Sequence, residues 1–372
     1  MSGLYIHVPF CVRKCDYCDF YSVTRPGSVG AYVHAVLTEA KQYAGTSFQT
    51  LYIGGGTPSL LGADNLTGLI EGLRQNVDMS RLGEASIEAN PDSCDRQFLE
   101  AARDAGIDRL SLGVQSLNDD ELRSVGRVHN ARQAVRAVEL AGSLGFRSIS
   151  ADLIVGLPGQ TWETLRESLI GVTQLGVQHI SLYCLALEEG TPLAESPPSS
   201  LPSDDAQVGL FEQACAFLAG RGFSHYEISN FALNGQECRH NLNYWRGGEY
   251  VGLGPSAASH LVGKRFRNRP DLDAYLQDPI GQIDSVETLE EDDKIAEEAM
   301  LRLRLLVEGL NAKELSGRFR PASVERLVRR LDAMVRAGSL VQEGARYVLP
   351  GPRVMTSNGI FQQVLDLAVP PL

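Results

Sequence analysis

The chain has 372 residues, enough for one large domain and a smaller one, and its 43% hydrophobic and 22% charged content excludes a disordered or fibrous protein. A formal charge of −12 makes nucleic acid a poor partner. With no apolar run of about 18 residues, no transmembrane helix is expected and any membrane contact would be peripheral.

The opening MSGLYIHVPF has no basic segment and runs straight into a cysteine cluster, so it does not read as a signal peptide. Six segments nearly continuous in Val, Ile, Leu and Tyr predict strands buried on both faces: 4–9, 50–55, 84–90, 109–115, 148–156 and 179–187. Helices are predicted between them over 32–43, 63–75, 94–105, 131–144 and 161–175. This alternation predicts an α/β fold of right-handed βαβ units, a closed or partly closed parallel sheet whose chemistry gathers at the C-terminal strand ends.

A Pro- and Ser-rich stretch over 190–205 reads as a linker, which places the first domain at 1–200. An extension over 201–288 follows, with a helix at 207–219, an aromatic strand-like run at 223–232 and the motif HNLNYW at 240–245. From 289 to 372 the texture is mostly helical, with Ile295, Ala299, Leu303 and Leu306 on one face and Val324, Leu327, Leu331 and Val335 on another. A hairpin at 339–349 completes a winged-helix-like unit. Arg326, Arg329, Arg330 and Arg336 on its second helix read as a solvated face and not as a DNA-binding one, because the whole chain is acidic.

Seven cysteines, three within eight residues and the others scattered at 94, 184, 215 and 238, do not form a disulfide framework and suit a reducing, cytoplasmic compartment. The three are Cys11, Cys15 and Cys18 in CVRKCDYC. Thiolates are natural ligands for iron–sulfur clusters, and three of them leave one iron of a four-iron cube open. A structural zinc site would need a closed set of four, which only recruitment of His7 could supply. GGGTP follows the second strand, where Gly55, Gly56 and Thr57 let backbone approach a ligand. Glu88 and Asp152 are strand-end carboxylates suited to ribose hydroxyls or an ammonium group.

With CxxxCxxC after the first strand and GGGTP after the second, residues 1–190 resemble the radical S-adenosylmethionine (SAM) superfamily. The resemblance implies a partial (β/α)6 barrel, a [4Fe–4S] cluster, SAM chelating the open iron, and an electron donor. Tyr17 falls on the aromatic position before the third cysteine. YIHVPFCxxxCxYC, SIEANP, LSLGVQS and DLIVGLPGQT narrow the match to oxygen-independent coproporphyrinogen III oxidases and their relatives. That match implies that Tyr5, Gly55 and Glu88 bind the cluster-bound SAM and that Gln115, Arg127 and Asp152 contact a second SAM in the oxidases.

Two departures separate the chain from the oxidases: Phe20 stands where their motif has a fourth cysteine, and only Met1, Ser2 and Gly3 precede the first strand. Both features, and HNLNYW with His240, Asn241, Tyr244 and Trp245, are similar to the HemW family of haem chaperones. This implies haem as cargo, haem-requiring proteins as recipients and His240 as an axial ligand, with Cys238, His225 and His260 as competitors. A packed corner satisfying its own imidazole and indole groups is the alternative reading of HNLNYW. Porphyrinogen decarboxylation is the alternative activity, and methyl transfer or haem breakdown a third.

Overall fold

The computed structural model describes residues 2–366. Six strands alternate with helices as expected: β1 (Ser2–Val8), β2 (Thr50–Gly55), β3 (Glu84–Ala89), β4 (Arg109–Gln115), β5 (Ser148–Val155) and β6 (His179–Cys184). They lie side by side in sequence order, each pair parallel. The connecting helices are Val29–Ala40, Gly62–Asn76, Arg96–Asp104, Ala131–Leu144 and Trp162–Gln174. Asn130 with Gln133 and Thr161 with Thr164 form capping boxes that satisfy the first free amides of the last two helices.

The strands are buried on both faces, as expected, but the two faces differ in chemistry. Leu4, Ile6, Val8, Leu51, Ile53, Ile87, Leu110, Leu112, Ala151, Leu153, Ile180 and Leu182 belong to the buried aliphatic core shared with the helices. The alternate positions carry polar and aromatic groups that bond to one another across the strands: Thr50 to His240, Tyr52 to Glu88, Ser111 to Asp152 and Ser150 to His179. The period of two survives, but the inner face is a polar lumen many of whose groups bond one another, while Ser86 Oγ is buried there without a partner.

The remaining strands lengthen the same sheet. β7 (Ser224–Glu227) and β8 (Asn230–Ala232) form a hairpin whose second strand pairs antiparallel with β6, so the expected single run at 223–232 is split by a turn. β9 (Glu249–Leu253) pairs parallel with β1 on the other side. β10 (Ala258–Leu261), β11 (Lys264–Asn268) and β12 (Ile283–Thr288) continue antiparallel beyond β9. The twelve-stranded order runs β12-β11-β10-β9-β1-β2-β3-β4-β5-β6-β8-β7, so the six-strand arc is flanked on both edges by strands from 201–288.

A smaller C-terminal unit contains helices Glu291–Leu303 and Pro321–Arg336 and a three-stranded sheet of Leu310–Asn311, Arg346–Val348 and Val341–Glu343. Its last helix, Ser357–Leu365, escaped the sequence reading. Arg326 pairs with Asp292 and the buried Arg330 donates to the Asp366 carbonyl at 2.7 Å, so part of the basic face is tied up inside the chain.

Candidate cluster and cofactor cavity

At the C-terminal ends of β1–β6 lies a cavity of about 400 Å³. Eleven of the thirteen expected site residues line it: Cys11, Cys15, Tyr17, Cys18, Gly55, Gly56, Thr57, Glu88, Gln115, Arg127 and Asp152. Tyr5 and His240 do not.

The cysteine loop leaves β1 and is pinned by backbone bonds. Cys11 N–H donates to the Val23 carbonyl at 3.0 Å, Asp16 N–H to Val125 at 3.2 Å and Cys18 N–H to Cys15 at 3.1 Å. Gly56 must lack a side chain here, since a Cβ would lie 2.6 Å from the Phe10 carbonyl and 3.2 Å from Cys11 Sγ. Thr57 Oγ1 donates to Cys11 Sγ at 3.6 Å and Arg127 Nη1 to Cys15 Sγ at 3.5 Å. Both sulfurs therefore accept a hydrogen bond from the chain, while burial raises the pKa of Cys18.

Asn90, which sequence reasoning passed over inside SIEANP, joins these parts. Its Nδ2 donates to Thr57 Oγ1 at 3.0 Å, and its Oδ1 accepts from Arg127 Nη2 at 2.8 Å. Burial alone would lower the pKa of the Arg127 guanidinium, but Tyr17 and Cys15 outweigh it and raise it. Arg127 Nε is buried without a hydrogen-bond partner among the described residues.

The carboxylates sit deeper. Glu88 accepts from Tyr52 OH at 2.7 Å and from Gly55 N–H at 3.2 Å, yet burial drives its pKa up to about 7, with the Asp152 charge adding to the rise. Asp152 accepts from Ser111 Oγ at 2.9 Å, and burial raises it too. Two buried acids facing one cavity can be kept ionised by a cationic ligand.

Gln115 has φ 63°, a left-handed conformation for a residue with a side chain, where the β4–β5 register shifts. The irregularity ends the ladder and places Gln115 on the cavity wall. Tyr183, at the end of β6, also lines the cavity and was missed because nothing in HISLYC distinguishes it from a core strand residue.

These groups fit a sulfonium cofactor on a thiolate-held cluster: three thiols on one loop, two acids, a buried unpartnered guanidinium nitrogen, and a glycine cradle that a Cβ would fill. Among the described residues no three His, Cys, Asp or Glu converge on a point that one ion could occupy, so the fit rests on the donor set and the cavity the thiols border.

Tyr5 bonds His7 Nδ1 at 3.1 Å, and His7 Nε2–H donates to the Tyr21 carbonyl at 3.0 Å, so Tyr5 stands one layer below the cavity. His240 is at the other end of the sheet. The helix Arg239–Trp245 covers the N-terminal ends of the strands, where His240 is 1% exposed. Its Nδ1 bonds Thr50 Oγ1 at 2.8 Å, its Nε2 bonds Tyr244 OH at 2.7 Å, and its ring stacks on Tyr52 at 5.2 Å. Burial lowers its pKa to about 3. Of the two sequence readings of HNLNYW, the His240 ring has the features of the packed corner, but the Trp245 indole N–H does not, since it is buried without a partner. Cys238 is equally enclosed, 2% exposed with its thiol on Glu84.

Residues 5–169 match the family described as the Radical SAM superfamily. The chain is 33% identical over 370 residues to the haem chaperone HemW of Lactococcus lactis subsp. lactis (strain IL1403), covering 98% of this chain and 97% of that one. It is 41% identical over 261 residues to the haem chaperone HemW of Escherichia coli (strain K12), covering 68% and 69%. Coproporphyrinogen III oxidase (HemN) from Escherichia coli, a solved radical SAM enzyme, superposes with a TM-score of 0.85 at 23% identity over 98% of this chain and 89% of that one, a likeness of fold.

Proposed function

Because the chain belongs to the HemW family of radical SAM proteins, we propose that it is a haem chaperone that binds haem and delivers it to haem-requiring proteins. The observation that carries this reading is the near end-to-end match to the Lactococcus relative. A [4Fe–4S] cluster on Cys11, Cys15 and Cys18, with SAM in the adjoining cavity, completes it. When bound, the cluster supplies one-electron reduction to SAM.

The chain's own residues prepare that cavity. Asp152, held by Ser111, offers its carboxylate to ribose hydroxyls. Glu88, with a pKa near 7, becomes the stronger acceptor once a cationic group sits beside it. Arg127 and Thr57 hold the Cys15 and Cys11 sulfurs by hydrogen bonds, and Tyr17 keeps one side of the loop apolar. Phe20 lines the mouth, 63% exposed, and supplies no sulfur there, which supports carriage over porphyrinogen oxidation.

The partners this reading requires are an electron donor for the cluster and haem-requiring recipients. Seven free cysteines support a reducing, cytoplasmic setting. Anaerobically reconstituted protein should develop a Soret band on addition of ferric haem and leave coproporphyrinogen III unchanged. Conversion of that porphyrinogen would overturn the proposal.

A further inference from the structure

A haem carrier needs an imidazole, thiolate or thioether that an incoming iron can reach. Among the histidines, His7, His179 and His240 have both ring nitrogens bonded inside the fold. His129 is 3% exposed, and His225 is stacked on Phe231 at 4.0 Å with Nε2–H on the Ile228 carbonyl. His34 is exposed on its helix, with no aromatic ring against it among the described residues. His260 on β10 differs from all of these.

Its ring is half-buried, and Nδ1–H donates to the Gly248 carbonyl at 3.4 Å. That bond selects the tautomer whose Nε2 lone pair is free, and among the described residues nothing bonds it. A histidine held by a backbone carbonyl through one nitrogen is poised to give the other to a metal. An aromatic ladder leads to it from HNLNYW: His240 to Tyr244 at 4.7 Å, Tyr244 to Tyr250 at 4.5 Å and Tyr250 to His260 at 6.2 Å. The motif thus props the wall on which His260 stands.

The turn after β10 adds an apolar surface. Val262 has φ 52°, a conformation costly for a β-branched residue, and is 79% exposed. Lys264 follows on β11, and Lys294 Nζ lies 3.9 Å from where a Cβ on Gly263 would be. Neither lysine joins an ion pair among the described residues. An imidazole, an exposed valine, a tyrosine edge and the Lys294 ammonium match a flat apolar macrocycle bearing propionates, whereas Lys264, paired with Leu261, leaves the sheet on the opposite face. Glu297, already paired with Arg265, borders the ring.

We infer that haem is ligated by His260 Nε2 on the β9–β10–β11 flank, its macrocycle against Val262 and Tyr250 and a propionate on Lys294, an inference that rests on the haem-chaperone reading. His260 pairs with Tyr250, and Tyr250 with Gly3 near the start of β1, whereas the cysteine loop leaves after Val8. The five-residue rise between them separates cargo from cavity by roughly 17 Å along the strand. Haem and SAM then bind at opposite ends of the sheet without competing.

The test is a titration of anaerobically reconstituted full-length protein with ferric haem, read by Soret position and electron paramagnetic resonance, with and without saturating SAM. His260→Gly should weaken binding at least about tenfold, the low end of what losing even an outer-sphere partner costs a metal site. Added imidazole should restore the wild-type spectrum to His260→Gly, which a merely structural role would not produce. SAM should leave the wild-type titration unchanged. Wild-type affinity and spectrum in His260→Gly, or displacement of haem by SAM, would overturn this site while leaving the chaperone reading intact. Absence of haem binding by the wild-type protein would instead remove the reading on which the site rests.

Discussion

Gln115 carries its strain at the cavity wall, and such strain persists only where surrounding structure holds it. Gln115→Gly removes the steric penalty at φ 63°, so the variant should melt within about 1 kcal/mol of wild type. It should nonetheless bind SAM more weakly by equilibrium dialysis; unaltered affinity would show that the side chain is irrelevant to the site. Glu39 gives a second residue-scale prediction. Burial drives its pKa up to about 7 from 4.5, against donation by Tyr275, Gly254 and Asn268. A folded-state value above the unfolded one means that the native state takes up a proton. The stabilisation is then complete below about pH 4.5 and is lost as pH rises through about 7. The pH-dependent part is on the order of 3 kcal/mol. Glu39→Gln should therefore flatten the fall in melting temperature between about pH 5 and about pH 8, and a variant with the wild-type slope would assign that titration to another group. The resemblance singles out Gln115, but its strained backbone reads in the sequence as the end of a regular strand, and Glu39 as one more polar helix position. Their roles depend on a register shift and on contacts with residues more than two hundred positions away.

At the scale of elements, the six strands and five intervening helices were legible because each imposes its own period on the sequence, with errors of a few residues at the ends. The cysteine loop and GGGTP were legible because their chemistry is local. What stayed hidden was long-range. The polar lumen reads as apolar in one dimension because tyrosines and glycines share its positions with the acids. HNLNYW reads equally well as a ligand motif or a plug until the helix Arg239–Trp245 is seen against β1 and β2. Gly3 is the complement to that plug, since a Cβ there would meet His240 Cε1 at 3.0 Å and Thr50 Oγ1 at 3.2 Å. Gly3→Val should destabilise the fold by about 1–3 kcal/mol through overpacking, with iron content on reconstitution unchanged. A variant with wild-type stability would show that the plug is loosely seated.

Considered whole, the molecule does not divide where its composition does. The Pro- and Ser-rich stretch at 190–205 marks a change of texture, yet the strands after it flank both edges of the same sheet, β9 beside β1 and β8 beside β6. A fragment of residues 1–200 would expose both edges and should not fold to a monomer with a cooperative thermal transition. A fragment that melts cooperatively and binds iron would show that the flanking strands are dispensable. The same architecture keeps the thiolate cavity and the HNLNYW end apart, so that cargo can be held without presenting it to the cluster.

Haem transfer tests this account most directly. Full-length protein, reconstituted anaerobically and loaded with one equivalent of haem in the presence of SAM, is mixed with the apo form of a b-type haem protein, and the spectra are followed. The account predicts that haem passes to the recipient. Haem that remains on the chain would contradict it.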